Sequence, residues 1–445
     1  MQQNTAPGNS HTRTIELTGT AFENGRLEGE LIAGRLNDLI HHAKHHLQEH
    51  QVTELKMRNR SERFATLLQN VASDWLEEAS GLADGAGADF EDIMLLNCNP
   101  DILIRANRPS CSSFIRIEPE RVLLGKIRDT RNRTQQFLVR KNASRLRCQI
   151  GKTIGHLGYG HAFSETAIAG ACNTGGIIDY SGENPHFDDC HALRYIAECA
   201  QTLAEIPDIY DELIRKGAIG GSEYNRGAIL LFADNNRGLL LESANNHFQT
   251  RVIDSHFLAV TNHFLLQEMQ KLEINQPDEN TNLRRNRLEV LLSQLEPGAP
   301  IQHYFSITRD RQNAPYSLCN DDTQHPWMTL SAQIHEINRA QPRTSKTWFC
   351  CGHPAHSVFL PWSLQNGKTF NHLAAGNFYA ASDRIYQQYK GMSLHFWNLA
   401  EFERRATESY PNSNSSPEND ELALADQAYQ LLVCQSDGDG SLPPA

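Results

Sequence analysis

Residues 109–129 read PSCSSFIRIEPERVLLGKIRD. The runs "SSFIRI" and "RVLLGKI" are strand-like and are separated by turn-prone residues, so the stretch reads as a β-hairpin. Its first strand begins at Cys111, behind a proline and a serine. A thiol at the lip of a strand is oddly placed, because cysteine is usually buried as a small hydrophobe or committed to a metal or disulfide. The hairpin is also where the chain changes character.

Upstream, residues 1–13 read as a disordered tail and "TIELTG" as a short strand. Apolar residues at Leu27, Leu31, Ile32, Leu36, Leu39 and Ile40 follow a period near 3.6, the mark of an amphipathic helix. A second helix is expected from Glu54 to Leu82, with Phe64, Leu67, Leu68, Val71, Trp75 and Leu76 on one face. "GLADGAGADFEDIMLLNCNPD" supplies a glycine-rich break, a cap and a third short helix. Residues 14–110 therefore form a helical segment.

Downstream, short strand-like runs dominate. "RGAILLFADNNRGLLLESANNHFQTRVIDSHFLAVTN" reads as one meander, turning at Asn235–Gly238 and at Asn245-Asn246. Helices are expected near 189–204, 208–216, 281–295 and 382–408. Residues 411–445 read as a linker, a short helix and a polar tail. Many strands with helices in blocks predict an α+β fold of two stacked sheets covered by helices, spanning 111–410.

With 445 residues, 39% hydrophobic and 21% charged, the chain can bury a large core without staples. A net charge of −12 argues against affinity for nucleic acid or an anionic membrane. No apolar run approaches the roughly 18 residues of a spanning helix, and the polar start lacks a secretory h-region. Ten scattered cysteines without a CxxC read as reduced thiols. A cytoplasmic enzyme is the expectation.

Two motifs invite over-reading. "HHAKHHLQEH" (41–50) pairs histidines at i,i+4, a spacing that can hold zinc, yet no third ligand can be named and a solvated helix face is the better reading; no metal is expected. Gly151-Lys152-Thr153 resembles the end of a phosphate loop, but position 146 is Leu where the loop needs glycine.

Cys111 makes more sense with its neighbours. A thiol attacks a carbonyl as thiolate, and with a pKa near ~8.5 it needs a base. No histidine is nearby in sequence. A chain cut before Cys111 would supply one on the nucleophile itself, an α-amino group with a pKa of about 7.7–8.0. Asp129 follows the partner strand, where hairpin register can return its carboxylate beside the new terminus.

An ordered set of motifs resembles the cysteine peptidase C45 family, the acyl-coenzyme A:6-aminopenicillanic acid acyltransferase-like proteins among the N-terminal-nucleophile hydrolases. These are "IELTGTAFENGRLEGELIA", "EASGLADGAGADFEDIMLLNCNPDI", "CSSF" with "VLLGKIRD", "GACNTGGI", "AVTNHF", "NLRRNRLEVLL", "ITRDRQNAPYSLCND" and "WFCCGHPAHSVF", covering about 15 to 365. The resemblance implies a four-layer αββα sandwich made as a proenzyme that cuts itself between Ser110 and Cys111, leaving an α/β heterodimer. It implies Cys111 as nucleophile, Asp129 as the carboxylate orienting the amine, Asn262 as the oxyanion amide and Arg284 as the helix arginine, with Arg285 one register away.

The chain also departs from the family. Ser110 replaces the usual glycine before the nucleophile, Lys126 stands where relatives often carry Arg or Gln, and Arg128 where an aromatic is common. Lys126, Arg128 and Arg131 read as a positive rim that binds a carboxylate or phosphate of the substrate. The resulting expectation is a self-processing amidohydrolase or acyltransferase acting on a small-molecule amide or acyl thioester. It needs no cofactor, and coenzyme A thioester would enter only as an acyl-donor substrate. An unprocessed binding or structural relative is the alternative, and a histidine-rich metalloprotein a third.

Overall fold

The computed structural model of the chain describes residues 14–98, 111–130, 136–142, 147–179, 184–219, 226–321, 323, 328–350, 352–363, 377–389, 402–404 and 427–431. Ser110, Arg131, the tail 1–13 and most of 411–445 lie outside the described residues.

Strand β1 (Ile15–Leu17) leads into α1 (Ala21–Glu49). Thr20 starts the helix with a capping box, its hydroxyl accepting from Glu23 N while Glu23 accepts from Thr20 N at 2.8 Å. The single helix expected over 54–82 is two, α2 (Glu54–Val71) and α3 (Ser73–Ala86), because Ala72 adopts φ −151° and ψ 65°. The break aims α3 along α1 at very short range. A Cβ on Gly25 would lie 2.0 Å from Glu78 O, and one on Gly81 2.0 Å from Phe22 O, so the glycines allow backbone contact between the helices. The short α4 (Phe90–Asn97) closes this helical block.

Two sheets follow. The first has eight strands in the order β1–β4–β5–β6–β7–β8–β9–β10, with β4 (Gln136–Asn142), β5 (Arg147–Thr153), β6 (His161–Ser164), β7 (Ala169–Ile177), β8 (Arg226–Ala233), β9 (Gly238–Ala244) and β10 (His247–Ile253). It is antiparallel apart from the parallel β1–β4 edge. The second runs β11–β2–β3–β12–β13–β14, formed by β11 (Phe257–Val260), β2 (Cys111–Ile117), β3 (Arg121–Thr130), β12 (Met328–Asn338), β13 (Lys346–Cys350) and β14 (Phe359–Ser363).

Side-chain alternation makes the layers. On β8, Leu230 and Phe232 join the core formed with α1–α4, α5 (Asp189–Cys199) and α6 (Ile206–Arg215), while Ile229 and Leu231 point to the other sheet. On β3, Val122 and Leu124 fill the inter-sheet core. Leu123 and Ile127 pack against α8 (Glu279–Ser293) and α9 (Ile301–Thr308), which follow the four-residue α7 (Gln267–Gln270). The helix α10 (Asn377–Tyr389) follows β14. The fold is α+β, two stacked sheets between helical layers.

Two expectations are corrected. The meander ends at β10: β11 crosses to the second sheet and pairs antiparallel with β2, Val260 opposite Ser113. An apolar run suits either sheet, and the competition between edges decides. The helix expected from 382 is already formed at Asn377, where the described residues resume, and its described part ends at Tyr389. The Lys152 of the phosphate-loop look-alike is buried on β5, bound to Glu28 of α1 at 2.8 Å, so it serves a buried ion pair.

Candidate active site

The hairpin forms as read. β2 and β3 pair with Cys111 opposite Arg128 and Ser113 opposite Lys126. Alternation then sorts the side chains. Cys111, Ser113, Lys126 and Arg128 share the face toward the first sheet, whereas Ser112 and Asp129 share the face toward α8.

The crossing of β11 delivers Asn262, just beyond the strand, to the start of β2. Asn262 Oδ1 accepts from the Cys111 backbone N at 3.0 Å, and its Nδ2 donates to Thr174 O at 2.8 Å. Thr281, near the start of α8, fixes this turn by accepting from Asn262 N at 2.9 Å.

Arg284 comes from α8, whose N-cap Asp278 accepts from Thr281 N at 2.9 Å. Its guanidinium is buried and makes four hydrogen bonds. Nη1 donates to Cys111 O at 2.6 Å and Ser112 Oγ at 2.9 Å, Nη2 to Asn262 Oδ1 at 2.8 Å, and Nε to Asn280 Oδ1 at 2.7 Å. Burial lowers its pKa from the usual arginine range, opposed by Asp129 and Cys111. Arg285, the register alternative, instead bonds Glu289 at 2.6 Å along the helix surface.

Asp129 stands one residue past the partner of Cys111, facing the Arg284 charge. Its carboxylate accepts from Thr329 Oγ1 at 2.7 Å and Asn320 Nδ2 at 3.4 Å. Cys111, Asn262 and Arg284 are thus in direct contact, with Asp129 anchored beside them.

Lys126 and Arg128 are not the exposed rim read from the sequence. Lys126 is 2% exposed and donates to Cys172 O and, at 2.8 Å, to Asn173 Oδ1. Arg128 is half-buried and reaches Thr153 of the opposite sheet. The alternation of Val122, Leu124, Lys126 and Arg128 sends both cations between the sheets. Arg131, the third member of that rim, lies outside the described residues.

Asn173 had no role assigned by sequence, though it sits in the quoted "GACNTGGI". Its Oδ1 accepts from Ser113 Oγ at 2.6 Å and its Nδ2 donates to Thr261 O at 3.0 Å, so it ties the two sheets together beside Cys111. Nearby histidines are poor bases. Burial, aided by His335, Arg128 and Lys126, holds His161 well below the usual range. Burial, then Arg285 and Arg284, lowers His263 to about 4.

Among the described residues, the side chains close enough to share an ion are His156–Asp188–His191 and Cys172–Asp189–Cys190, not the histidines of 41–50. The first group is a helix cap: Asp188 accepts from His191 N at 2.8 Å and from His191 Nδ1 at 2.7 Å, with His156 Nε2 at 3.2 Å.

Residues 180–356 match the family model described as acyl-coenzyme A:6-aminopenicillanic acid acyl-transferase. The family recognised in the motifs is the one that matches, over a stretch holding Asn262 and Arg284 but not the Cys111 hairpin. Solved structures with some similarity include a Caenorhabditis elegans N-acylethanolamine-hydrolyzing acid amidase ortholog, at 12% identity and TM-score 0.35, covering 54% of this chain and 99% of that one. Two variant forms of conjugated bile acid hydrolase from Clostridium perfringens, at 10% and 9% identity, each have TM-score 0.40, covering 58% of this chain and 95% of theirs. The layered fold rests on the sheets described above rather than on these slight likenesses. Among the described residues no helix is long and apolar enough to cross a membrane.

Proposed function

From kinship with this acyltransferase family, we propose that the chain is a self-processing N-terminal-cysteine amidohydrolase or N-acyltransferase, cut between Ser110 and Cys111. One observation carries the reading: the Cys111 backbone nitrogen is bonded to Asn262 Oδ1 at 3.0 Å while Arg284 grips its carbonyl at 2.6 Å. The same Asn262 oxygen that satisfies this backbone N–H would hold the α-amine once the chain is cut.

In the proposed reaction the free amine takes the Cys111 Sγ proton, and the sulfur attacks the carbonyl carbon of an amide or thioester. The second hydrogen of Asn262 Nδ2, the first being spent on Thr174 O, stabilises the tetrahedral oxyanion. Collapse expels the leaving amine or thiol, which receives the proton from the ammonium. A thioester acyl-enzyme remains, and water or an acceptor amine releases the acyl group by the same steps. Asp129 and Arg284 balance the charge of the amine in its two states. The buried Lys126 and half-buried Arg128, on the nucleophile's face of the hairpin, are the proposed substrate-side cations.

After the cut, the segment 14–110 is the α-subunit and 111–410 the β-subunit of one heterodimer. Their association is supported by the Lys152–Glu28 pair and by Arg194 of α5 bonding Glu78 of α3 at 2.6 Å. A cytoplasmic setting fits the many free thiols. The test is to incubate the purified protein with N-acyl amino acids, β-lactams and coenzyme A thioesters, then quench and weigh it. An acyl adduct on the fragment beginning at Cys111, lost in Cys111→Ala, supports the reading; turnover that survives Cys111→Ala defeats it.

A further inference from the structure

Two cysteines outside the proposed reaction meet behind the strand that supports the site. Cys172 of β7 and Cys190 of α5 hold their sulfurs 3.6 Å apart, and neither is in a disulfide. Alternation along β7 arranges this: Asn173 faces the second sheet, while Cys172 and Thr174 face α5, Thr174 Oγ1 lying 3.4 Å from Asp189. Loop 156–160 presses on the other side. Tyr159 N donates to Cys190 O at 2.9 Å, and a Cβ on Gly158 would come within 2.6 Å of the Cys190 carbonyl carbon.

With Asp189, the two sulfurs have the outline of a cation site. The surroundings oppose a cation. The first turn of α5 contributes positive partial charge, and Lys126 and Arg128 add positive charge felt by both Cys172 and Asp189. Cys172 Sγ also lies 3.6 Å from the carbonyl oxygens of Tyr159 and Gly160. Those oxygens disfavour a permanent thiolate but tolerate a neutral sulfur.

We propose that Cys172 and Cys190 are an oxidisable dithiol that closes to a disulfide and so couples thiol redox state to the Cys111 site. The path is three consecutive residues. Cys172 O accepts from Lys126, Asn173 holds Ser113 and Lys126, and Thr174 O accepts from Asn262 Nδ2 at 2.8 Å. Bringing the sulfurs from 3.6 Å to a bond of roughly 2.05 Å draws Cys172 toward α5 and moves those supports.

Cys190, the more accessible of the two, attacks one sulfur of a small-molecule disulfide such as oxidised glutathione and expels one thiol. The Cys172 sulfur then attacks the Cys190 sulfur of the mixed disulfide and expels the second. Two protein S–H bonds are lost, one S–S bond forms, and the oxidant leaves as two thiols carrying the hydrogens. The hydrogen bond to Cys172, burial, and the carboxylates of Asp189 and Asp188 hold the Cys190 thiol well above its ordinary range, so the exchange is slow.

The effect on turnover rests on the proposed role of Cys111; the bond itself does not, and the experiment separates the two. The full chain carrying Cys111→Ala is incubated with oxidised glutathione, blocked with iodoacetamide, digested and mapped by mass. Expected are a linked Cys172–Cys190 peptide and the loss of both alkylated thiols, reversed by dithiothreitol and absent when Cys190→Ser is added. Hydrogen exchange of the same oxidised sample should quicken across 111–117, 170–177 and 260–264. Both thiols remaining alkylatable, an unresolved glutathione adduct, or zinc bound at one per chain through the pair would overturn the proposal. A disulfide that leaves exchange at 111–117 unchanged would overturn the coupling.

Discussion

Glu78→Gln tests how firmly the helical segment is fastened to the sheets. Glu78 lies on α3 with its carboxylate buried; Arg194 donates Nη1 to Oε1 at 3.1 Å and Nη2 to Oε2 at 2.6 Å. Lys152 stands 3.9 Å away, and the Arg194 guanidinium lies 4.3 Å from the Trp75 ring centroid. The substitution keeps the shape and removes the charge. At an effective dielectric near 20, a pair about 4 Å apart is worth roughly 4 kcal/mol, and removing one partner of a buried pair costs about 3–5 kcal/mol. Here each cation keeps another carboxylate, Lys152 with Glu28 at 2.8 Å and Arg194 with Glu198 at 2.9 Å. The lower end, about 3 kcal/mol, is therefore the expected loss. Urea unfolding of wild type, Glu78→Gln, Arg194→Gln and the double variant measures it, with the double losing less than the sum of the singles. A loss below about 1 kcal/mol, the size of a surface pair, would refute the buried network as the fastening.

Other consequences are separately testable. Asn262→Ala should lower turnover by about 10²–10³-fold, the cost of one oxyanion donor, with circular dichroism unchanged; a rate within a few-fold of wild type contradicts the role. Gly81→Ala must push α3 off Phe22 O, since its Cβ would lie 2.0 Å away, and should cost about 1–3 kcal/mol in thermal or urea unfolding as overpacking does. Glu242 accepts from Leu265 N at 2.7 Å and Leu266 N at 2.9 Å, yet burial raises its pKa to about 7. Its folded pKa lies above its unfolded one, so folding takes up a proton between about pH 4.5 and 7. That contribution is full at lower pH and is lost as pH rises through about 7. Wild type should therefore lose stability relative to Glu242→Gln between pH 5 and pH 8, and a flat difference would contradict the shift.

The legible and illegible parts of the sequence divide along physical lines. The Cys111–Asp129 hairpin could be read because strand runs and turn residues are local, and its register follows from a short connection. The destination of β11 could not, since "FLAV" is apolar enough for either sheet and only pairing with β2 selects one. That crossing brings Asn262 to Cys111, so the contact rests on tertiary competition that periodicity does not record. Lys126 is a different case. Its parity with Val122 and Leu124 already put it on an inward face, but charge suggested solvent; across the gap Asn173 supplies the partner that makes burial tolerable. On β12 the inward positions Gln333 and His335 are polar, which blurs the alternation by which a buried strand is read.

In the proposed reaction Cys111 becomes a chain terminus. The intact mass of the freshly purified protein, with amino-terminal sequencing of any fragment, tests it most directly. Two polypeptides that copurify are expected, the larger beginning Cys-Ser-Ser-Phe, with a single uncut chain for Cys111→Ala. An active wild-type protein that remains one chain across Ser110 and Cys111 would contradict it.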